Sequence, residues 1–245
     1  MKRLFFTIVI LVIAGVNVAF AQTYDFSQIS QVKLVSEYSP ETSVEYIDAV
    51  FFGEYPQLDP LGNTKEPLEW LVLNRQDNRA LLISKYVIDH QKYNSTLDDV
   101  TWETCTLRNW LNTTFLITAF NSSDQNYIQT TNVINSGNPK YGTSGGNNTI
   151  DKVFCLSIDE VKMYFNVTDM FTEYQKLITI PTFYAAGHKY DNYDRNTSKN
   201  WVRLRSPGRR QQHGAFVTPH GNINYDGYEV SHRGGIRPAL WVTYK

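Results

Sequence analysis

Short apolar runs separated by polar turns dominate the pattern of this chain, and they predict strands rather than long helices. Segment 44–52 is rich in β-branched and aromatic residues, as are 68–73 and 80–84. The polar segment 74–79 between the last two runs predicts a β-hairpin. Another strand is expected at about 32–35.

Helical periodicity is confined to a few segments. One helix is predicted over 103–111 and a second, shorter one over 114–120. The clearest helix start is Ser157, because Glu160 follows three residues later. This spacing is typical of a capping box, in which the two side chains accept hydrogen bonds from each other's backbone N–H groups.

The last third of the chain alternates short apolar runs with glycine-containing turns. Strands are predicted over 201–205, 215–218 and 236–243. Segment 136–150 is dense in Gly, Asn, Ser and Thr and is therefore expected to be a loop, and 184–200 is polar with spaced tyrosines. The segments 184–200 and 207–233 lack a periodic apolar pattern, so we expect their large side chains to lie on flexible surface loops.

The N-terminus has the three parts of a secretory signal peptide. Two basic residues precede the apolar run 4–18, and Ala19 and Ala21 occupy the positions that a signal peptidase reads. Cleavage is therefore expected before Gln22, and the product is expected to be secreted, periplasmic or held at the cell surface. The alternative is an uncleaved membrane anchor, which is disfavoured because the apolar run is short for a membrane span.

The charge composition of the chain argues against one class of binding partner. The formal net charge is −1 and no long basic run occurs, which argues against nucleic acid as a partner. No later segment reaches the roughly 18 apolar residues of a spanning helix, so no membrane span is expected after cleavage. The predicted organisation is a signal peptide over 1–21, a lead-in segment over 22–44 and one domain over 45–245.

Two cysteines, Cys105 and Cys155, leave two alternatives open. An oxidising compartment permits a disulfide, which would close a loop of about 50 residues and stabilise the fold by about 4 kcal/mol. Both residues lie in apolar segments, however, and we favour two separate buried thiols.

Six sequence blocks in order resemble a bacterial family described only as a domain of unknown function (number 6273), and the resemblance extends over about 47–242. The blocks are PLEWLVL at 67–73, ALLISKYVID at 80–89, TWETCTLRNWLN at 101–112, VFCLSIDEV at 153–161, WVRLRSPG at 201–208 and GGIRPALW at 234–241. This family carries no established activity.

The two closing blocks also resemble the end of C-type-lectin-like domains of the formylglycine-generating-enzyme type. That resemblance implies an α+β fold: a single C-type-lectin-like domain with small twisted antiparallel sheets, two main helical regions, long loops, and paired N- and C-terminal strands.

The chemistry of these relatives is not expected here. A calcium-dependent lectin needs clustered oxygen ligands, whereas this chain has Asn138-Pro139-Lys140 at its only comparable motif. The oxidase needs a pair of cysteines near the C-terminal strands, and none follows Cys155. His213, His220 and His232 could bind zinc, but their spacing matches no short zinc motif. We therefore expect no metal, no cofactor and no catalytic residue.

Several tryptophans and arginines in the six sequence blocks are expected to stabilise the fold rather than to bind a ligand. A fixed arginine commonly joins loops through hydrogen bonds to carboxylate and carbonyl groups. These tryptophans and arginines are Trp102, Arg108, Trp110, Trp201, Arg205, Arg237 and Trp241.

The candidate ligand-binding residues are tyrosine, arginine, histidine and asparagine residues of the C-terminal loops, types that dominate recognition surfaces. They are Tyr190, Tyr193, Arg209, Arg210, His213, Asn224, Tyr225, Tyr228 and His232. The alternative is that tyrosine and asparagine are simply abundant in this chain. The sequence thus favours an exported non-catalytic module that binds a polar ligand, a glycan or an exported protein. The alternative function is an exported hydrolase of unassigned substrate.

The signal peptide yields a first prediction. N-terminal sequencing of the exported protein should start at Gln22, because Ala19 and Ala21 fit the peptidase subsites. An exported fraction that begins at Met1 would contradict it.

Overall fold

The computed structural model describes residues 30–33, 46–165, 180–187 and 201–243, so the predicted signal peptide lies outside the described residues. The strands are β1 (Ser30–Lys33), β2 (Tyr46–Tyr55), β3 (Glu66–Gln76), β4 (Arg79–Ser84), β5 (Asp89–Lys92), β6 (Thr131–Val133), β7 (Thr149–Asp151), β8 (Val202–Pro207), β9 (His213–Val217), β10 (Ile223–Glu229), β11 (Arg233–Ile236) and β12 (Ala239–Thr243). The helices are α1 (Thr106–Trp110), a π-helical turn (Leu111–Phe115), α2 (Leu116–Ala119), α3 (Ser122–Gln125), α4 (Ile158–Phe165) and α5 (Phe183–Gly187).

The first five-stranded sheet has the order β1-β2-β3-β4-β12, and all its neighbouring strands are antiparallel. The predicted hairpin is confirmed, since Gln76 pairs with Arg79 across a two-residue turn. Asp77 in that turn has φ +50°, a conformation that Asp tolerates better than most residues. The hairpin provides the central strand β3 and its neighbour β4.

The second five-stranded sheet has the order β10-β9-β8-β11-β5, so β5 joins four of the five strands that follow residue 200. Its pairs are antiparallel except β8 with β11, which are parallel. A separate two-stranded sheet joins β6 and β7. The described chain is therefore an α+β fold of mostly antiparallel sheets with few helices.

The predicted single strand over 236–243 is wrong, because two strands of different sheets occupy this segment. β11 ends at Ile236 in the second sheet, and β12 begins at Ala239 in the first. Pro238 has no N–H group to donate to a sheet, and its carbonyl accepts a hydrogen bond from Ser84 N at 3.0 Å. Buried Arg237 donates from Nε to Ser84 O at 2.9 Å. These contacts with Ser84 hold the point where the chain passes from one sheet to the other.

The expected pairing of N- and C-terminal strands is also wrong. β1 and β12 lie at opposite edges of the first sheet, with three strands between them. The reason is that β12 pairs with β4 through contacts such as Ala239 with Ile83. Its other edge faces residues 127–129, where Gln129 N donates to Trp241 O at 2.8 Å.

The two predicted helices over 103–111 and 114–120 form one helical stretch that runs from α1 through the π-helical turn into α2. Asn112 lies in the wide turn and binds the neighbouring chain. Its Nδ2 donates to Val153 O at 2.8 Å, and its Oδ1 accepts from Lys152 N at 2.8 Å. These tertiary contacts are invisible to helical periodicity.

The predicted capping box at the start of α4 is confirmed. Ser157 N donates to Glu160 Oε2 at 2.9 Å, and Glu160 N donates to Ser157 Oγ at 3.1 Å. Ile158 N adds a bond to Ser206 Oγ at 3.0 Å, which fixes this helix start against β8.

One continuous apolar core draws on both five-stranded sheets and the helices. Trp70 lies at its centre and donates from Nε1 to Phe52 O at 2.7 Å. Among the described residues, no helix has both the length and the apolar character needed to cross a bilayer.

Arg205 of β8 is the most heavily bonded side chain of this framework. Its guanidinium binds both carboxylate oxygens of Glu160, with Nη2 2.9 Å from Oε1. The remaining donors reach Ile134 O at 2.8 Å, Cys155 O at 2.9 Å and Asn135 Oδ1 at 3.2 Å. All five N–H groups of the guanidinium are thus used, which joins the loop after β6, the chain before α4 and α4 itself to the second sheet.

Arg205→Lys should lower the free energy of unfolding by about 3 kcal/mol or more, because an ammonium group has three donors and cannot form the two-pronged bond to Glu160. Urea denaturation measures the change. Lys140→Met is the control: its side chain is 58% exposed and lies 3.9 Å from Asp226, so its stability should not change measurably. Equal losses in the two variants would contradict this role of Arg205.

Candidate functional site

Seven of the nine sequence-predicted ligand residues lie within the described chain. Tyr190 and Tyr193 lie outside it. The structure corrects the expectation of flexible loops for four of the others, since His213 belongs to β9 and Asn224, Tyr225 and Tyr228 belong to β10. Arg209, Arg210 and His232 lie in connections between strands.

An irregular register explains why β10 has no recognisable alternation. Asn224 pairs with Phe216 and Tyr228 with Gly214, and the register shifts between the two pairs. Gly227 lies in this bulge with φ +74°, and a Cβ atom there would be 2.7 Å from Gly214 O. The close approach of β9 and β10 therefore requires glycine, and it places Tyr228 across from a residue without a side chain.

Four chain segments beside this bulge are joined by side-chain bonds. Asn138 is buried and donates from Nδ2 to Pro207 O at 2.9 Å and to Tyr225 O at 2.8 Å. Gln211 donates from Nε2 to Val100 O at 3.0 Å and to Ser144 O at 3.1 Å. The segments 94–101, 134–148, 207–212 and 224–228 thus form one continuous surface.

We call this surface the loop face and define it by its exposed polar and aromatic side chains. They are Asp98, Asp99, Lys140, Tyr141, Arg209, Arg210 and Asp226. Tyr141 donates its phenolic proton to Asp226, and Arg209 N donates to Asp226 O at 2.9 Å. Only Arg209 and Arg210 of this set were expected from the sequence. The others were missed because they come from loops far apart in the chain.

A second feature, the aromatic cluster, lies where the second sheet meets the crossover from β10 to β11. It consists of Trp201, Phe216, Tyr228 and His232. The Trp201 ring centroid lies 5.0 Å from that of Phe216 and 5.9 Å from that of Tyr228, and Tyr228 lies 4.8 Å from His232. Tyr228 is 41% exposed, and the other three residues are partly exposed. Phe216 was not predicted, although alternation in the run 215–217 could have placed it opposite the two buried residues beside it.

Arg203 supports the aromatic cluster from within the protein. Its guanidinium carbon lies 4.5 Å from the centroid of the Trp201 ring. Nη1 donates to Tyr228 O at 3.0 Å, and Nη2 donates to Glu229 O at 2.6 Å and to His232 O at 2.9 Å. Burial lowers the pKa of Arg203 to about 9, so the group is still protonated at neutral pH. Sequence reasoning missed this residue as a part of the site.

A protein-family model matches most of this chain. The family model described as Domain of unknown function (DUF6273) matches residues 77–244. The chain belongs to this family. The matched range begins in the turn between β3 and β4, so the first three strands precede it. No curated protein matches the chain, and no solved structure matches it.

The residues expected to be structural make the following contacts in and around the DUF6273 domain. Trp102 Nε1 donates to Asp151 Oδ2 at 2.9 Å, and Arg108 Nε donates to Asp151 Oδ1 at 2.6 Å. Trp110 packs on Phe115 with a centroid distance of 5.6 Å. Trp241 lies under the guanidinium of Arg79 at 4.5 Å. Trp201, Arg205 and Arg237 make the contacts already given.

The three candidate zinc-binding histidines have different surroundings. His213 Nδ1 lies 3.3 Å from Asp226 O, and His220 is exposed in the turn between β9 and β10. His232 Nδ1 lies 3.2 Å from Glu229 Oε2 but is too poorly aligned for a hydrogen bond. In the part of the chain that the structure describes, no three or more His, Cys, Asp or Glu side chains are grouped as a metal site.

Two buried polar groups could suggest acid–base chemistry. Tyr55 donates to Asp89 Oδ2 at 2.9 Å, and His90 N donates to Asp89 Oδ1 at 2.7 Å. Burial, with the nearby Asp89 carboxylate, raises the pKa of Tyr55 far above its ordinary value. Both carboxylate oxygens of Asp89 thus accept bonds from the protein itself, as in a structural interaction.

A cavity lined by Ile83, Leu156 and Phe165 has a volume of only about 20 Å³, room for a single water molecule.

Both cysteines are free buried thiols, as favoured from the sequence. Burial raises the pKa of Cys105 to about 12, and it raises the pKa of Cys155 still further. A buried thiol with a raised pKa stays largely protonated at neutral pH, which disfavours either residue as a thiolate nucleophile.

We therefore expect both thiols to resist iodoacetamide at pH 8 in the folded protein and to react after denaturation in guanidinium. Replacing each with alanine should lower the free energy of unfolding by about 1–2 kcal/mol through lost burial. Mass spectrometry and urea denaturation measure the two effects. Rapid alkylation of the native protein would contradict the expected burial.

Proposed function

We propose that this protein is an exported, non-catalytic binding module that recognises a polar ligand, a glycan or another exported protein, through its C-terminal loops and the segments packed beside them. The observation that carries the proposal is the loop face, in which four segments distant in sequence are braced by Asn138 and Gln211. Pre-organised loops lose little conformational entropy on binding, which favours affinity.

The side chains of the loop face fit a polar ligand rather than an apolar one. Arg209, Arg210 and Lys140 supply N–H donors, and Asp98 and Asp226 supply acceptors. Tyr141 adds an aromatic surface of low side-chain entropy. This mixture of donors, acceptors and one ring is characteristic of surfaces that bind hydroxyl and amide groups.

Two further parts of the proposal rest on the sequence. Export to the periplasm, the cell surface or the medium rests on the signal pattern of residues 1–21. A bacterial origin and a C-type-lectin-like fold rest on the resemblance of the six blocks and of the two closing blocks. The alternative function, an exported hydrolase, has weaker support. Asp89 is an acid in a buried polar group, and its oxygens bind within the protein.

The test compares binding by the wild-type protein and an Arg209→Ala/Arg210→Ala variant. The probes are an array of neutral, sialylated and sulfated oligosaccharides and purified exported proteins of the host. Loss of both guanidinium groups should weaken binding at least tenfold without lowering the melting temperature, because both side chains are exposed. Tyr225 is left intact because it packs against the core and its loss would destabilise the fold.

Lys65→Met, an exposed cation on the loop before β3, is the matched control and should bind normally. Undiminished binding by the double arginine variant would exclude the loop face as the binding site.

A further inference from the structure

We propose that Tyr228, Glu229 and His232 form a subsite for the ring of a neutral pyranose sugar, supported from beneath by Trp201 and Arg203. The inference rests on the proposed binding function and names the ligand class for one part of the surface. It adds a contact at the aromatic cluster, with the neighbouring Glu229, to the contact proposed for the loop face.

The first argument is the combination of chemical groups that the subsite exposes. Tyr228 is 41% exposed, and the side chains of Glu229 and His232 are 42% and 39% exposed. A pyranose ring has an apolar face of C–H groups that stacks on an aromatic ring, and hydroxyl groups at its edge that donate to a carboxylate. Tyr228 offers the ring, and Glu229 offers the carboxylate. His232 lies between them, with its ring 4.8 Å from the Tyr228 ring and its Nδ1 3.2 Å from Glu229 Oε2.

The second argument is that the scaffold fixes these three residues together. Arg203 donates to the backbone carbonyls of Tyr228, Glu229 and His232 at 3.0, 2.6 and 2.9 Å. Trp201 packs on the outer side of the same guanidinium and also contacts the Tyr228 ring. A single buried cation, Arg203, therefore holds the crossover from β10 to β11 at all three residues that contribute side chains to the subsite. Such rigidity lowers the entropic cost of binding a small ligand.

The close packing of Trp201 depends on a glycine in the neighbouring strand. A Cβ atom on Gly234 would lie 2.4 Å from the Trp201 ring. The indole is thus seated against the backbone of β11, which fixes the base on which Tyr228 rests.

The third argument is charge, because the subsite has nearby groups of both signs and therefore favours neither a cation nor an anion. A cationic ligand such as a quaternary ammonium group would be attracted by the Glu229 carboxylate but repelled by Arg203, which lies 4.5 Å from the Trp201 ring. An anionic ligand would meet the carboxylate of Glu229, which lies 3.2 Å from His232 Nδ1. A neutral ligand with hydroxyl groups avoids both repulsions.

The experiment is saturation-transfer NMR with the full exported protein, supported by titration of tryptophan fluorescence. The probes are the methyl pyranosides of glucose, galactose and mannose, with N-acetylneuraminic acid and choline as charged comparisons. At least one neutral pyranoside should bind, and the charged compounds should bind at least tenfold more weakly.

Variants locate the contact. Tyr228→Ala and Glu229→Gln should each weaken binding of that pyranoside at least tenfold, whereas Tyr228→Phe should retain it because the ring is kept. Phe51→Ala removes a comparably exposed aromatic residue from β2 and should have no effect. Circular dichroism confirms that each variant is folded.

Two results would overturn the inference and leave the proposed function intact. The first is that no neutral pyranoside binds while the oligosaccharide or protein probes still bind in a manner dependent on Arg209 and Arg210. The second is pyranoside binding that is unchanged in Tyr228→Ala. Stronger binding of choline or N-acetylneuraminic acid at the same residues would also reject a neutral sugar as the ligand.

Discussion

Two buried arginines on one face of β8 hold the C-terminal half of this fold together. Arg203 and Arg205 are each nearly inaccessible to solvent, and a buried charge is costly unless its donors are satisfied. Arg205 meets this requirement with a carboxylate, a side-chain amide and two carbonyl groups. Arg203 meets it in part, because Nη1 and Nη2 bind backbone carbonyls while its buried Nε has no hydrogen-bond partner among the described residues. Each arginine dictates the path of chain segments that have little regular structure of their own. Loops that show no regular pattern in the sequence are therefore held in defined positions by these two side chains.

The two arginines divide the surface between them. Arg205 orders the chain on the side of α4 and the loop after β6, from which Asn138 reaches Pro207 and Tyr225 and completes the loop face. Arg203 orders the crossover from β10 to β11, which carries the aromatic cluster. Both candidate binding features thus depend on two alternate positions on one face of a single strand. Substitutions that disrupt β8 are therefore expected to affect the loop face and the aromatic cluster together. Substitutions of exposed side chains in one of these two features should affect that feature alone.

Local patterns in the sequence were sufficient for elements that are stabilised locally. The β3–β4 hairpin follows from two apolar runs around a polar turn, and the start of α4 follows from the spacing of Ser157 and Glu160. β10 and β11 escaped prediction because a glycine bulge and a Gly-Gly pair replace the expected alternation. The path after Ile236 could not be predicted, because contacts with Ser84, more than 150 residues earlier, decide it. Likewise, the sequence suggested Tyr228 and His232 as ligand residues but could not reveal that Arg203 binds their backbone carbonyls and that of Glu229.

The acceptors that Arg203 binds leave the exposed side chains of the crossover free to vary. Arg203 binds main-chain oxygens, which every amino acid provides, rather than the side chains of Tyr228, Glu229 and His232. Substitution at these three positions leaves the acceptors in place, so the crossover keeps its conformation while the exposed chemistry changes. The backbone oxygens that hold the crossover are therefore different atoms from the side-chain atoms that a ligand would contact. A fold organised in this way can present different side chains to different polar ligands without rebuilding the strands beneath them.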